Sequence, residues 1–122
     1  MDLLFPISLK IEGRKCIVIG GGEVAAQKVD SLLVCGGQVT VVSPSLCQSL
    51  AQKELTGSIH HRARDYQEGD LDGAFLVIAA TDDNVVNRAV YTAAQQRGAL
   101  INVVDVPEIG RASCRERVYV LV

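Results

Sequence analysis

The sequence predicts an α/β fold, a Rossmann-like doubly wound parallel sheet with the strand order 3-2-1-4-5. Two observations predict it. Apolar runs of strand length alternate with stretches of helical periodicity, which is the pattern of a parallel sheet covered by helices on both faces. The apolar run Lys15–Ile19 also stops at three consecutive glycines, and a helical pattern begins straight after them. Right-handed crossovers between parallel strands then fix the strand order.

Each predicted element has a local signal. Strands buried on both faces are continuously apolar, outer strands are rich in β-branched residues, and glycine or proline ends most segments. We predict strands at residues 15–19, 38–43, 58–63, 74–80 and 100–104, and helices at 23–34, 45–55 and 84–97. Residues 5–9 resemble an extended edge strand that leads into the sheet. The side chains predicted to face the core from the second and third helices are Leu46, Leu50, Leu55, Val85, Val86, Ala89, Val90 and Ala93.

The composition indicates one soluble domain. The chain has 122 residues, of which 48% are hydrophobic and 21% charged, and its net charge of −2 argues against a basic nucleic-acid-binding surface. No apolar run approaches the ~18 residues that span a bilayer, and the N-terminus lacks the pattern of a secretory signal. We therefore predict a cytoplasmic protein with neither a nucleic-acid nor a membrane partner.

The cysteines and histidines do not predict a metal site. None of the four cysteines belongs to a C-x-x-C pair, which is the commonest zinc-binding spacing. His60 and His61 are adjacent on a predicted strand, so their side chains point to opposite faces and do not bind one ion together. We predict that both are exposed edge residues and that the cysteines are reduced thiols.

The glycines after the first strand fit the dinucleotide-binding pattern G-x-G-x-x-A, with Gly20, Gly22 and Ala25 at the motif positions. Gly20 permits the sharp turn, Gly22 lets a pyrophosphate approach the main chain, and Ala25 lets the helix pack closely on the strand. The first N–H groups of the helix then face the phosphates, and Glu23 has to point away from them. A plain tight turn is the alternative, but the strand before and the helix after favour dinucleotide binding.

The end of the second predicted strand bears on the choice of cofactor. An Asp or Glu usually stands there to bind the ribose hydroxyls, but this chain has Ser43, Pro44 and Ser45. Backbone groups and the two serine hydroxyls are the candidates to hold the ribose instead. Because no arginine stands beside them to accept a 2′-phosphate, we predict NAD rather than NADP.

Asp105 is the main catalytic candidate. It follows five uncharged residues at the end of the fifth predicted strand, on the rim where such sheets bind ligands. A carboxylate there acts as a general base, ligates a metal ion or simply forms a turn, and the spacing alone slightly favours the turn. Thr81, Asp82 and Asp83 follow the fourth strand, where we predict that they supply the cap of the next helix.

Four segments of the chain share the motifs of one known family. They are Met1-Asp2-Leu3-Leu4 with Pro6 and Ile7, Gly20-Gly21-Gly22-Glu23-Val24-Ala25 with Lys28, Ala79-Ala80-Thr81-Asp82-Asp83, and Asn102-Val103-Val104-Asp105. This combination resembles the precorrin-2 dehydrogenase family, the N-terminal NAD-binding module of sirohaem (siroheme) synthases. The resemblance extends from residue 1 to about residue 107.

The resemblance implies an oxidoreductase of porphyrin biosynthesis that oxidises precorrin-2, a tetrapyrrole, to sirohydrochlorin with NAD. Some members are also ferrochelatases, which are lyases that insert ferrous iron in the same pocket, and full-length members form homodimers. Asp105 matches the family's general base. The family's cofactor contacts fall on Gly22, Glu23, Val24, Pro44, Ser45, Thr81, Asn102 and Val103, and the arginines available for the substrate carboxylates are Arg62, Arg64, Arg88 and Arg97.

The resemblance ends after Pro107, so we predict an NAD-binding domain at residues 1–107 and a tail at 108–122 outside the family. The tail has no clear helical or strand period and resembles the translation of a sequencing adapter; a divergent natural tail is the alternative. The family's C-terminal part, which dimerises and closes the substrate cleft, does not follow. We therefore expect a C-terminally truncated chain that binds NAD but turns over little or no substrate. A regulatory NAD(H)-binding module and an inactive remnant are the alternative functions.

Overall fold

The computed structural model describes residues 8–105 and 115–119, and for Asp105 and residues 115–119 it describes the backbone alone. The elements in chain order are β1 (Lys15–Ile19), α1 (Glu23–Val34), β2 (Gln38–Ser43), α2 (Gln48–Leu55), β3 (His60–Ala63), a 3₁₀-helix (Glu68–Leu71), β4 (Leu76–Ala79), α3 (Asn84–Arg97), β5 (Leu100–Asp105) and β6 (Arg115–Tyr119). Within the described residues they form one sheet in the order β3-β2-β1-β4-β5-β6. The first five strands are parallel, and β6 is antiparallel to β5.

Two apolar clusters, one on each face of the sheet, hold the helices in place. Alternate residues of β1 divide between them: Val18 packs in the cluster beneath α1 and α2, and Ile17 and Ile19 pack in the cluster beneath α3. All three side chains are at most 1% exposed, because β1 pairs with strands on both of its sides. This double burial explains why the run is continuously apolar rather than alternating.

The predicted fold class and strand order are confirmed, and β1, α1, β2 and α3 begin and end where the sequence predicts. Three other elements are shorter than predicted: α2 begins at Gln48, β3 at His60 and β4 at Leu76. The late start of α2 has a local cause, since the Cys47 N–H donates to the Gly21 carbonyl at 2.7 Å and holds residues 44–47 against the glycine turn. In the described part of the chain no helix is both long and apolar enough to cross a membrane.

Three of the side chains predicted to face the core are exposed instead. Leu55 is 86% exposed, because the short helix α2 buries only Leu50 and its last turn extends beyond the core. Val85 is 74% exposed and Ala89 is also exposed, because the first turns of α3 cover a cavity rather than the sheet. The predictions for Leu50, Val90 and Ala93 are confirmed by their burial.

The tail contains a strand, although its sequence has no clear strand period. β6 pairs with β5 from Ile101↔Tyr119 to Asp105↔Arg115. Pairing at a sheet edge requires free backbone N–H and C=O groups rather than side-chain alternation, so the lack of a period did not exclude a strand.

Residues 108–114 and residues 5–7 of the predicted lead-in lie outside the described residues. The domain boundary after residue 107 stays a prediction, and an uninterrupted, adapter-free reading frame across codons 105–122 would contradict an artefactual tail.

Candidate functional site

A cavity of about 960 Å³ lies at the carboxyl ends of β1, β2 and β4. In doubly wound sheets this is where ligands bind, because the loops that leave β1 and β4 run to opposite faces and open a crevice between them. Residues 19–24, 42–47, 65–66, 80–83, 85–86, 89 and 104 line it. Eight of the predicted cofactor-binding residues are among them: Gly20, Gly22, Glu23, Val24, Ser43, Pro44, Ser45 and Thr81.

The three glycines of the turn differ in what requires them. Gly20 has φ +128°, and a Cβ on it would collide with the Ala80 carbonyl. A Cβ on Gly21 would collide with the Ser45 carbonyl. Gly22 is exposed, has an ordinary φ of −92°, and, among the described residues beyond its chain neighbours, has no atom within 4 Å of the position of a Cβ. The fold therefore requires glycine at positions 20 and 21, whereas the space beside Gly22 is free for a group outside the protein.

Two of the helices that begin at the cavity, α1 and α3, present different N-termini. Asp83 caps α3, since its carboxylate accepts hydrogen bonds from Val85 N–H at 2.9 Å and Val86 N–H at 3.5 Å. Gly22 occupies the cap position of α1 and has no side chain to offer. The N-terminus of α1 thus combines the positive end of a helix dipole with main-chain N–H groups that a phosphate can use. The residues at this turn fit a dinucleotide.

Thr81 is held by a buried asparagine rather than acting as the cap of α3. Asn87, which is 2% exposed, accepts from the Thr81 N–H at 3.2 Å and from Thr81 Oγ1 at 2.7 Å. Its Nδ2 donates to the Thr81 carbonyl at 3.1 Å. The three hydrogen bonds fix the main chain where it leaves β4 and turns into the cavity wall.

Ser43 and His61 also occupy positions that the sequence does not reveal. The buried Ser43 hydroxyl donates to the Ser45 carbonyl at 2.5 Å, so the exposed Pro44 and Ser45 present the surface of this wall. The prediction that His61 is an exposed edge residue was wrong. Its side chain is only 9% exposed, and its Nε2 lies 2.9 Å from the Ser43 carbonyl oxygen. His60 is exposed as predicted.

The described lining of the cavity is acidic. It carries the carboxylates of Glu23, Asp65, Asp82 and Asp83, and it includes no lysine or arginine. Phosphates that bind there depend on main-chain N–H groups and the α1 dipole for their stabilisation. An additional phosphate on the ribose would meet negative charge without a cation to balance it.

Three of the four arginines considered for substrate binding are paired with carboxylates of the chain itself. Arg62 Nη1 lies 3.0 Å from Asp70 Oδ1, and Arg64 holds the same carboxylate through Nη1, at 2.7 Å from Oδ2, and through Nη2. Arg97 Nε lies 3.1 Å from Asp72 Oδ1. None of these arginines lines the cavity.

Asp70 is the charged centre of this arginine cluster. Burial raises the pKa of its carboxyl, whose side chain is 1% exposed, but hydrogen bonds from Arg64, the Gln67 N–H and Arg62 outweigh burial. The pKa of Asp70 therefore lies below its usual value, and the group is ionised at neutral pH. The pairing joins the end of β3 to the 3₁₀-helix and so fixes the segment between them, which includes Asp65 and Tyr66.

The predicted site residues on β5 lie outside the described lining. Asn102 is 5% exposed and Val103 packs beside the apolar cluster beneath α3, whereas Val104 lines the cavity. The backbone of Asp105 follows Val104 directly at the end of β5. The side chain of Asp105 lies outside the described residues, so its role as general base stays a prediction.

The sequence reasoning missed lining residues between β3 and the 3₁₀-helix. Asp65 and Tyr66 both line the cavity. In a parallel sheet the loop after every strand reaches the same rim, so the end of the predicted third strand was the available signal. The Tyr66 hydroxyl is buried and has no hydrogen-bond partner among the described residues, and burial raises the pKa of Tyr66.

Comparison with known proteins agrees with this geometry. Residues 7–114 match the sequence profile of a family described as putative NAD(P)-binding. The chain belongs to this family. It is 52% identical over 104 residues to a siroheme synthase of Methylobacillus flagellatus and 46% identical over 105 residues to one of Photorhabdus laumondii. These alignments cover 85% and 86% of this chain and 22% of each relative, so the chain spans about a fifth of the length of these synthases.

A solved structure gives the same assignment. SirC, a precorrin-2 dehydrogenase, matches with a TM-score of 0.68 and 30% sequence identity, over 72% of this chain and 44% of that chain. The resemblance expected from the sequence motifs is therefore confirmed at the level of family and fold.

Proposed function

We propose that this chain is the NAD-binding part of a precorrin-2 dehydrogenase of siroheme biosynthesis. The similarity to siroheme synthases and to SirC supports the pathway and the substrate class. The observation that carries the cofactor assignment is Gly22. No contact within the described fold and no unusual dihedral angle accounts for glycine there, and the open space beside it lets a group outside the protein approach the main chain at the N-terminus of α1.

NAD is favoured over NADP by the charges around the cavity. NADP carries an additional phosphate on its adenosine ribose, which sits near the end of the second strand in this type of fold. That end carries Ser43, Pro44 and Ser45, and the nearby Arg62 and Arg64 are bound to Asp70. The additional phosphate of NADP would therefore lie near carboxylates, with no cation in the described lining to balance its charge.

The reaction assigns distinct tasks to the residues of the site. NAD, when bound, supplies the acceptor for the hydride that precorrin-2 loses. Gly22 and the first N–H groups of α1 bind the phosphates and thereby orient the cofactor. The protons released by the oxidation need a base, and we assign that role to Asp105, whose backbone follows Val104 on the cavity wall.

The full-length protein would carry further functions. We propose that its substrate is bound partly by residues beyond this chain, because the described lining offers no basic side chain for the tetrapyrrole carboxylates. Homodimerisation, a cytoplasmic location and insertion of ferrous iron are proposed for the full-length parent on the basis of the family resemblance. The similar proteins are enzymes, namely siroheme synthases and a dehydrogenase. This similarity does not favour the alternative of a regulatory NAD(H)-binding module.

The cofactor assignment is tested by Gly22→Ala. Because the added methyl group meets no atom of the described fold beyond its chain neighbours, the variant should fold, with a loss of up to about 1 kcal/mol because alanine is a poorer N-cap than glycine. We expect its Kd for NAD, measured by calorimetric titration, to rise roughly tenfold or more. Gly69→Ala is the matched control, since a Cβ there makes only an ordinary contact at 3.9 Å outside the cavity. Wild-type affinity in the folded Gly22→Ala variant would contradict the placement of the phosphates.

The catalytic assignment is tested by Asp105→Ala in the full-length parent. We expect the oxidation of precorrin-2 to be lost while the affinity for NAD is retained, because the base acts on the substrate and does not hold the cofactor. Oxidation at the normal rate would refute this role. The 122-residue chain alone should turn over little or no precorrin-2, and normal turnover by it would refute the expectation that the missing part completes the site.

A further inference from the structure

We infer that His61 is a positioning residue that holds the cofactor-binding wall made by residues 43–45, which we term the β2 rim. The inference rests on the proposed NAD binding and adds a residue that neither the glycine motif nor the similarity to siroheme synthases indicates. His61 does not line the cavity. It acts from behind the rim, through the main chain of Ser43.

The imidazole of His61 has a defined partner on each nitrogen. Nε2 lies 2.9 Å from the Ser43 carbonyl oxygen, and Nδ1 lies 3.4 Å from Oε2 of Glu54 on α2. A carbonyl oxygen accepts hydrogen bonds and donates none, so Nε2 carries a hydrogen and donates it to Ser43. Nδ1 donates to the Glu54 carboxylate only when the ring carries a hydrogen on both nitrogens, so the contact with Ser43 is the one that the inference uses. Although β3 lies at one edge of the sheet, the His61 side chain is only 9% exposed. This burial keeps water from replacing the contact with Ser43.

Ser43 passes this constraint to the glycine turn. Its hydroxyl donates to the Ser45 carbonyl at 2.5 Å, and Gly21 packs so closely on Ser45 and Ser43 that a Cβ would not fit. The Cys47 N–H then donates to the Gly21 carbonyl at 2.7 Å. A shift of the Ser43 carbonyl therefore moves the β2 rim relative to the turn that binds the phosphates.

The consequence is a role in cofactor affinity. Pro44 and Ser45 are the exposed residues of the β2 rim, and they line the cavity beside the N-terminus of α1. A cofactor that contacts both the rim and the turn binds best when their spacing is set before binding. His61 supplies one anchor of that spacing through its contact with the Ser43 carbonyl oxygen.

Two amide substitutions separate the two contacts of the ring. In His61→Gln the side-chain amide reaches the position of Nε2 and can still donate to Ser43. In His61→Asn the shorter amide reaches only the position of Nδ1, next to Glu54, and leaves the Ser43 carbonyl without its donor. The two variants have similar polarity, so a difference between them reports the contact with Ser43 rather than a general change of the edge strand.

The measurement is the Kd of the 122-residue chain for NAD by calorimetric titration, with thermal unfolding followed in parallel. We expect about a five- to tenfold higher Kd for His61→Asn, the factor that corresponds to one buried hydrogen bond. His61→Gln should stay within about twofold of the wild type, as should His60→Asn, the control on the exposed neighbour. In the full-length parent His61→Asn should raise the KM for NAD and leave kcat unchanged.

The outcomes distinguish this inference from the proposed function. Equal affinity of folded His61→Asn and His61→Gln would overturn the positioning role, while NAD binding by the wild type would still support the function. If His61→Asn does not fold, His61→Leu serves as the variant without a donor: a Kd about five- to tenfold above that of His61→Gln would support the role, and equal Kd values of the two would overturn it. Absence of NAD binding by the wild type, with intact folding, would refute the proposed function itself.

Discussion

Replacement of Asp70 by asparagine tests whether the arginine cluster at the end of β3 stabilises the fold. The carboxylate is 1% exposed and accepts hydrogen bonds from Arg64 Nη1 at 2.7 Å, Arg62 Nη1 at 3.0 Å and the Gln67 N–H at 2.8 Å, in addition to Arg64 Nη2. Asparagine has nearly the same shape but no charge. One of its two oxygen positions becomes an NH₂ group that faces donors.

The magnitude follows from these contacts. Hydrogen bonds to charged groups contribute about 1.5–3 kcal/mol each, and the variant loses roughly two of them. The side chains of Arg62 and Arg64 are 36% and 40% exposed, so water recovers part of the loss when they are released. We expect Asp70→Asn to lower the free energy of unfolding by about 2–3 kcal/mol, which is a large share of the ~5–15 kcal/mol of a typical domain.

Urea unfolding at pH 7 measures this loss, and Asp72→Asn is the control because its 75% exposed carboxylate also pairs with an arginine. The control should cost less than about 0.5 kcal/mol. The pKa of Asp70 is lowered in the folded state, so its contribution is present above its unfolded pKa of about 3.9 and is lost as the pH falls through the folded value. The difference between the wild type and Asp70→Asn should therefore be constant from pH 5 to 8 and narrow at lower pH. Equal costs for the two variants at pH 7 would refute the reasoning.

Three further predictions concern single contacts. Tyr66→Phe should leave the free energy of unfolding in urea unchanged or raise it by up to about 1 kcal/mol, because the hydroxyl is buried with no partner in the described part of the chain; a loss above 1 kcal/mol would indicate a partner. Asp83→Ala should lower it by about 1 kcal/mol by removing the cap of α3, whereas Asp82→Ala should have little effect, and equal effects would contradict the assignment of the cap. Asn87→Leu should raise the Kd for NAD about tenfold in calorimetric titration by releasing Thr81, and an unchanged Kd would show that this wall needs no anchor.

The elements that the sequence predicted with correct bounds have strong local signals at both ends. After Lys15, β1 is an uninterrupted apolar run that stops at glycine, and α3 begins after the cap Asp83 and ends at Arg97, just before Gly98, which has φ +69°. Such signals depend on neighbouring residues alone. The strand order followed from the same information, because right-handed crossovers leave few alternatives once the elements are known.

Helical periodicity identified apolar faces but not what those faces contact. Val85 and Ala89 fall at the spacing of an inward face, yet both are exposed and line the cavity. The same face of α3 covers the sheet further along, where Val90 is buried. The apolar stripe of α3 thus lines the cavity in its first turns and packs in the core in its later turns. Helical periodicity does not show where one contact is replaced by the other.

The buried polar residues could not be predicted, because each depends on a partner from another element. His61 contacts Ser43, which is 18 positions earlier in the chain, and Asp70 binds arginines six and eight positions before it. A sequence pattern assigns such residues to the surface by default, since polar side chains are buried only when they are paired. Their pairing became visible only when the sheet brought β2, β3 and the 3₁₀-helix together.

Together these buried polar residues explain how an acidic cavity can bind an anionic cofactor. With no cation in the described lining, the attraction for a pyrophosphate comes from main-chain N–H groups, whose directions depend on the surrounding backbone. That backbone is held on one side by Asn87 through Thr81 and on the other by His61 through Ser43. Between them, Gly22 has neither a contact in the described fold nor a dihedral angle that requires glycine. The rigid parts of the site therefore surround the single position that the fold leaves open, and a ligand bound there gains affinity because little of its surroundings remains to be ordered.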